Sequence, residues 1–217
     1  MRRCVLMEAS ILNSSDQLLA SSDLEVRRGQ RALISGLSFA LEAGQMALIV
    51  GPNGSGKTSL LRVLAGLSPA SKGSVSWGGT EVHRLAPEQR AQITYRGHLD
   101  GLKKDLTVEE NLDFYASLGG EPLDFEALLV DLQLADLRHR QVRFLSAGQR
   151  RRTGLAALKV RRARLWILDE PMTNLDQSGR QLVADWIGSH LAEGGVAVVA
   201  THQAEELVAS GTLMVEL

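Results

Sequence analysis

The sequence is short of cysteine. Cys4 is the single one in 217 residues, so no disulfide can close within the chain, and a reducing compartment suits it. No apolar run comes near the roughly 20 residues that a membrane-spanning helix needs. No charge of one sign dominates either: 24 basic residues against 25 acidic leave a formal net charge of −1. The whole molecule therefore has no electrostatic reason to seek nucleic acid. A secretory leader is not evident, because Glu8 interrupts the short apolar stretch Val5-Leu6-Met7 behind Arg2 and Arg3. No internal repeat or low-complexity tract is present. These absences set the expectation of a soluble cytoplasmic domain, and 23.5 kDa is enough to bury a substantial core.

What is present centres on Gly51-Pro52-Asn53-Gly54-Ser55-Gly56-Lys57-Thr58. An apolar run, Met46–Val50, precedes it, and a helical pattern, Ser59–Ala65, follows. Strand, glycine loop and helix in that order are the context required by the phosphate-binding motif G-x-x-x-x-G-K-[ST]. Glycines let backbone N–H groups curl inward onto phosphate oxygens, and the positive end of the helix points to the same place. Lys57 adds a point charge for the β- and γ-phosphates, and the Thr58 hydroxyl is placed to ligate Mg²⁺. A turn that merely needs glycine would not match all eight positions, so the chain is expected to bind a nucleoside triphosphate.

Before this loop the pattern is β. Leu18–Ala20 and Leu24–Val26 lead to a turn at Arg28-Gly29, and Leu37, Phe39 and Leu41 alternate as in a half-buried strand. Residues 1–17 carry no period and read as a loose extension, with the domain proper at 18–217. After the loop, Gly73–Trp77 and Thr80–Val82 flank a Gly78-Gly79 hairpin turn; Pro87–Gln92 is a short helix, and Ile93–Tyr95 a strand. Thr107-Val108-Glu109-Glu110 is a capping box that opens a helix, and Glu126–Leu137 reads as another. Residues from about 96 to 160 thus form a mostly helical insertion. The expected fold class is α/β: a parallel nucleotide-binding core with an antiparallel β layer and a helical subdomain.

Two further stretches carry chemistry. Leu165–Leu168 is a continuous apolar run ending in Asp169-Glu170, as a buried parallel strand delivers its C-terminal end to a ligand crevice. Asp169 would sit on the Mg²⁺ side beside Thr58, and Glu170 can polarise a water that attacks the γ-phosphate. Leu145-Ser146-Ala147-Gly148-Gln149 places small residues at the start of a helix, a second anion-binding arrangement, although Ser146 can equally be a plain N-cap.

Together these motifs resemble the nucleotide-binding domain of ATP-binding-cassette (ABC) transporters over nearly the whole chain from about residue 18. Gly51–Thr58 matches Walker A, Leu145–Gln149 the signature with Ala147 for one glycine, and Leu165–Glu170 Walker B. Asn174-Leu175-Asp176 resembles the D-loop, and His202 the switch histidine. The resemblance implies ATP and Mg²⁺ as ligands and a head-to-tail homodimer, in which Ser146, Ala147, Gly148, Gln149 and Asp176 of one chain meet ATP held by the P-loop of the other. It also implies integral membrane subunits as partners and a peripheral place on the cytoplasmic face of the inner membrane. The loop Gly97–Lys103 and the short run after His202 resemble the subfamily that serves cytochrome c maturation, the heme exporter ATP-binding subunits.

The sequence departs from the family pattern at three places. His98 stands where glutamine is usual ahead of Leu106-Thr107-Val108-Glu109-Glu110, and histidine titrates near neutrality where glutamine does not. Arg27-Arg28 replaces the aromatic that stacks on adenine; the Arg28 plane can stack on a base instead. Ala157 replaces an arginine of the signature helix, a change without a mechanistic account. Two rivals stay open: a soluble ABC ATPase of DNA repair or translation, which usually adds a coiled coil or second cassette, and a module that binds ATP without hydrolysing it. The ATPase of another small-solute transporter is a third. Arg150–Arg152 and Arg161-Arg162-Ala163-Arg164 read as solvated helix faces or neighbours of phosphate, His83, His139 and His190 as surface residues, and Met46 and Met172 as packing.

Overall fold

The computed structural model describes residues 5–7, 17–98, 100–118, 124–202, 205, 207 and 212–217. The strands are β1 Val5–Met7, β2 Leu19–Arg28, β3 Arg31–Leu41, β4 Met46–Val50, β5 Lys72–Trp77, β6 Thr80–Glu81, β7 Ile93–Arg96, β8 Leu165–Asp169, β9 Val196–Ala200 and β10 Thr212–Glu216. The α-helices are α1 Lys57–Leu64, α2 Pro87–Ala91, α3 Val108–Ser117, α4 Phe125–Asp131, α5 Ala147–Arg161 and α6 Gln177–Ala192.

Two sheets result. One runs β1-β10-β4-β9-β8-β7, parallel except where β1 closes its edge; the other runs β3-β2-β5-β6 and is antiparallel. The parallel sheet is buried on both faces, which is why its strands read as unbroken apolar runs. Alternation along each strand sends Leu48, Leu168 and Val199 into a core shared with α3, α5 and α6. Ile49, Ile167 and Val198 go into a second core with α1 and the antiparallel sheet, where Leu19, Phe39 and Trp77 meet them. Each such side chain contributes about 1.5–3 kcal/mol on burial, so the sheet is the rigid frame beneath the strand-end loops.

Three expectations need correction. Residues 1–17 include a strand: Val5–Met7 pairs antiparallel with β10, with Leu6 opposite Val215, and three residues are too few to show a period. Pairing there covers an edge that β10 would otherwise leave open; the Asn13–Asp16 stretch lies outside the described residues. The helix expected over Glu126–Leu137 is two pieces, α4 and a 3₁₀ turn at Ala135–Leu137. Gln133 ends α4 in the left-handed region at φ 56, and the Leu134 N–H donates back to Leu129 O at 2.8 Å. His190 is not on the surface. It is 9% exposed, stacked on Trp166 with ring centroids 4.0 Å apart, whereas His83 and His139 do pair with surface glutamates.

Candidate nucleotide site

The P-loop folds by leaving the right-handed backbone region at its glycines. Gly51, Gly54 and Gly56 have φ of 151, 79 and 116. At Gly51 a Cβ would fall 2.6 Å from the Leu217 carbonyl oxygen, so no larger residue fits. Gly56 is the N-cap of α1 and supplies no side-chain acceptor, which leaves the first N–H groups of the helix to an anion. Lys57 is 7% exposed, and its Nζ donates to Gly51 O at 2.7 Å and Pro52 O at 3.2 Å.

Strand β8 delivers the acids. Asp169, 2% exposed, accepts a hydrogen bond from Thr58 Oγ1 at 2.7 Å. Glu170 follows with φ 49, a left-handed conformation that costs a non-glycine residue about 1 kcal/mol or more. Its N–H donates to Ala200 O at 2.8 Å, and its Oε2 accepts from the His202 N–H at 3.3 Å. Oε1 is buried without a hydrogen bond among the described residues, although His202 Nε2 lies 3.2 Å away at ion-pair distance. That same imidazole nitrogen is 2.8 Å from Asn53 Oδ1 and 3.4 Å from Lys57 Nζ. A hydroxyl beside a buried carboxylate is a hard-oxygen pair of the kind Mg²⁺ takes together with phosphate oxygens. Oε1, which has no hydrogen bond among the described residues, is an acceptor suited to a water.

These groups line a cleft of about 650 Å³ with Arg28, Arg31, Leu33 and His98, a volume suited to a small-molecule ligand. Of the residues expected at the nucleotide, Arg28, Asn53, Gly54, Gly56, Lys57, Thr58, His98, Asp169, Glu170 and His202 are brought together there. Ser146, Ala147, Gly148, Gln149 and Asp176 are not part of its wall. Ser146 caps α5, accepting from Gln149 N–H at 3.2 Å while Gln149 Oε1 accepts from Ser146 N–H at 2.8 Å. Asp176 caps α6 and accepts from Gly179 N–H at 3.0 Å. The Arg152 guanidinium beside it holds its carboxyl below the usual carboxylate range.

The arginine run after the signature differs from expectation. Arg151 is 4% exposed, and Arg152 is bonded to Asp176, Gln133 and Leu132 O, so neither is a solvated face. Cations in the first turns of a helix oppose its dipole. That conflict is the signal that could have marked them as needing buried acceptors.

A family model described as "ABC transporter" matches residues 34–173. A "Cytochrome c biogenesis ATP-binding export protein CcmA" of Nitrosospira multiformis is 45% identical over 202 residues, covering 92% of this chain and 98% of its own. The protein of that name from Nitrosomonas europaea is 44% identical over 197 residues, covering 89% of this chain and 92% of its own. Among solved structures, an ATP-binding subunit of an ABC transporter superimposes with a TM-score of 0.79 at 23% identity, covering 90% of this chain and 88% of its own. A nucleotide-free ATP-binding cassette superimposes with a TM-score of 0.72 at 20% identity, covering 91% and 89%. With Walker A, signature and Walker B in order on this fold, the chain belongs to the ATP-binding subunits of the ABC transporter family.

Proposed function

We propose that this chain is the ATP-hydrolysing subunit of a membrane ABC complex of cytochrome c biogenesis, the heme exporter type. It works at the cytoplasmic face of the inner membrane with integral membrane subunits and pairs head to tail with a second copy. The observation that carries the ATPase reading is the convergence of Lys57, the Thr58–Asp169 pair, Glu170 and His202 on one cleft. The biogenesis system is carried over from the names of the relatives. Among the described residues no helix is long and apolar enough to cross a membrane, so this reading leaves the crossing to partner subunits.

The chemistry follows from the side chains. P-loop N–H groups and Lys57 bind the β- and γ-phosphates, Lys57 exchanging its carbonyl partners for phosphate oxygens. Mg²⁺ would be held by Thr58 and Asp169, and it would offset charge on the transferring phosphoryl group. Glu170 accepts a proton from water as the water oxygen bonds to Pγ and the bond from Pγ to the bridging oxygen breaks, giving ADP and phosphate. His202, set by Asn53, contacts the γ-phosphate; Arg28 stacks on the base. Ser146–Gln149 and Asp176 of the second copy cover the nucleotide, which accounts for the exposure of Ser146, Ala147 and Asp176 away from the cleft of their own chain.

The decisive experiment is Glu170→Gln, which keeps the shape and removes the base. ATP binding is expected to persist while turnover falls on the order of 10²-fold or more, with a dimer trapped by ATP in sedimentation. Wild-type turnover in this variant would sink the assignment. For the biogenesis system, a deletion strain should lose its c-type cytochromes and regain them with the wild-type chain but not with Lys57→Ala.

A further inference from the structure

Three consecutive main-chain carbonyls at the end of β8 converge on one side chain that lies outside every motif. Arg151, on the second turn of α5, donates from Nη2 to Asp169 O at 3.1 Å and Glu170 O at 2.6 Å, and from Nε to Pro171 O at 3.2 Å. Its Nη1 turns to the loop that carries His98 and donates to Gly97 O and Asp100 Oδ1, both at 3.2 Å, with His98 O at 3.5 Å. A guanidinium has five N–H donors in a fixed planar fork, and every nitrogen of this one has an acceptor. The side chain is 5% exposed, and Asp100 is its ion-pair partner.

What it grips is strained. Glu170 sits at φ 49, a conformation that persists only where the surroundings over-determine it. The Ala200 carbonyl fixes the Glu170 N–H, and Arg151 fixes the carbonyls on both sides and at Glu170 itself. We infer that Arg151 is a positioning residue for ATP hydrolysis: it holds the Glu170 carboxylate at the angle from which it takes the proton of water, and it seats the His98 loop beside it. This rests on the reading of Glu170 as the base. It also makes α5 a mechanical link, because the helix whose first turn would meet ATP of the second copy is tied by one side chain to the water-activating residue of its own chain.

Lysine keeps the charge but has three donors on a flexible stem, so it cannot span both groups of carbonyls. Arg151→Lys is therefore expected to lose about 10-fold or more in kcat, with KM for ATP changed by less than about threefold, since Lys57 and the P-loop are untouched. The test is a double-mutant cycle with Glu170→Gln, read by single-turnover hydrolysis of ATP. If Arg151 acts through Glu170, the Arg151→Lys loss vanishes in the Glu170→Gln background. A loss of equal size in both backgrounds, a loss carried by KM, or wild-type kcat would each overturn the inference. Asp100→Asn, which removes the countercharge from a less buried position, is the second variant and takes the same cycle should Arg151→Lys fail to fold. The Glu170→Gln arm alone tests the base assignment, so failure of that reading is seen separately.

Discussion

His98 lines the cleft, and its position is set by main chain. The carbonyls of Gly97 and His98 accept from Arg151, and the exposed ring has no hydrogen-bond partner among the described contacts that fix the loop. A side chain of similar reach should therefore take over. His98→Gln is expected to keep kcat within about threefold of wild type; a steady-state loss beyond roughly 30-fold would mean that the imidazole itself is required. His190 behaves in the opposite way, because its ring is the structural part. Burial against Trp166 pushes its pKa down, against the carbonyls of Val196 and Arg164 and the charge of Glu193, which favour the proton, and with Lys159, which disfavours it. The folded state therefore keeps His190 neutral at pH values where the unfolded chain, with a histidine pKa of about 6.5, has begun to bind a proton. Stability should fall as pH drops through about 6.5 and level off once the depressed folded value is passed. Urea unfolding across that range should show a shallower fall in His190→Gln, and equal slopes would count against the assignment.

At the scale of elements, the turn from α6 into β9 is shaped by that ring. A Cβ on Gly195 would lie 2.3 Å from His190 ring atoms, and the ring cannot step aside because Trp166 stacks on its face and Val196 O is 3.2 Å from Nε2. Gly195→Ala should cost about 1–3 kcal/mol, the usual range for overpacking. For a chain of this size that lowers Tm by roughly 3–10 °C, readable by calorimetry; an unchanged Tm would show that the ring has room to move. Elements marked by local chemistry were legible beforehand. The Thr107–Glu110 box caps α3 as its spelling implies, with Thr107 Oγ1 accepting from Glu110 N–H at 3.2 Å and Glu110 Oε2 accepting from Thr107 N–H at 2.7 Å. The break between α4 and the 3₁₀ turn at Ala135–Leu137 was not, because Asp131–Leu134 has no glycine or proline and its left-handed residue is Gln133.

For the whole molecule, the separation of the signature turn from the cleft is the main consequence. In the proposed head-to-tail pair each chain would present half of two sites, so lesions in different halves should complement. A Lys57→Ala chain mixed with a Ser146→Arg chain is expected to regain about one intact site per heterodimer, and therefore at most about half of wild-type turnover. Two inactive chains that co-sediment with ATP and stay inactive would argue against a shared site.

Local chemistry made much of this protein readable as sequence. The glycines and Lys57 of the P-loop, the apolar run closing on Asp169-Glu170, and the capping boxes each specify their structure within about eight residues. Their causes are backbone sterics, helix-end hydrogen bonds and strand burial, all of short range. Contacts between distant segments were left to the tertiary structure. Val5–Met7 became a strand only because β10 had an edge to pair, and His190 became a core residue only because Trp166 and Gly195 enclosed it. Arg151 looked like one of three cations on a solvated face or near phosphate until folding brought Gly97, His98, Asp100 and residues 169–171 to its guanidinium. Periodicity says which face of an element is buried; which acceptors a buried donor will find depends on chain closure over tens of residues, and no local pattern encodes that.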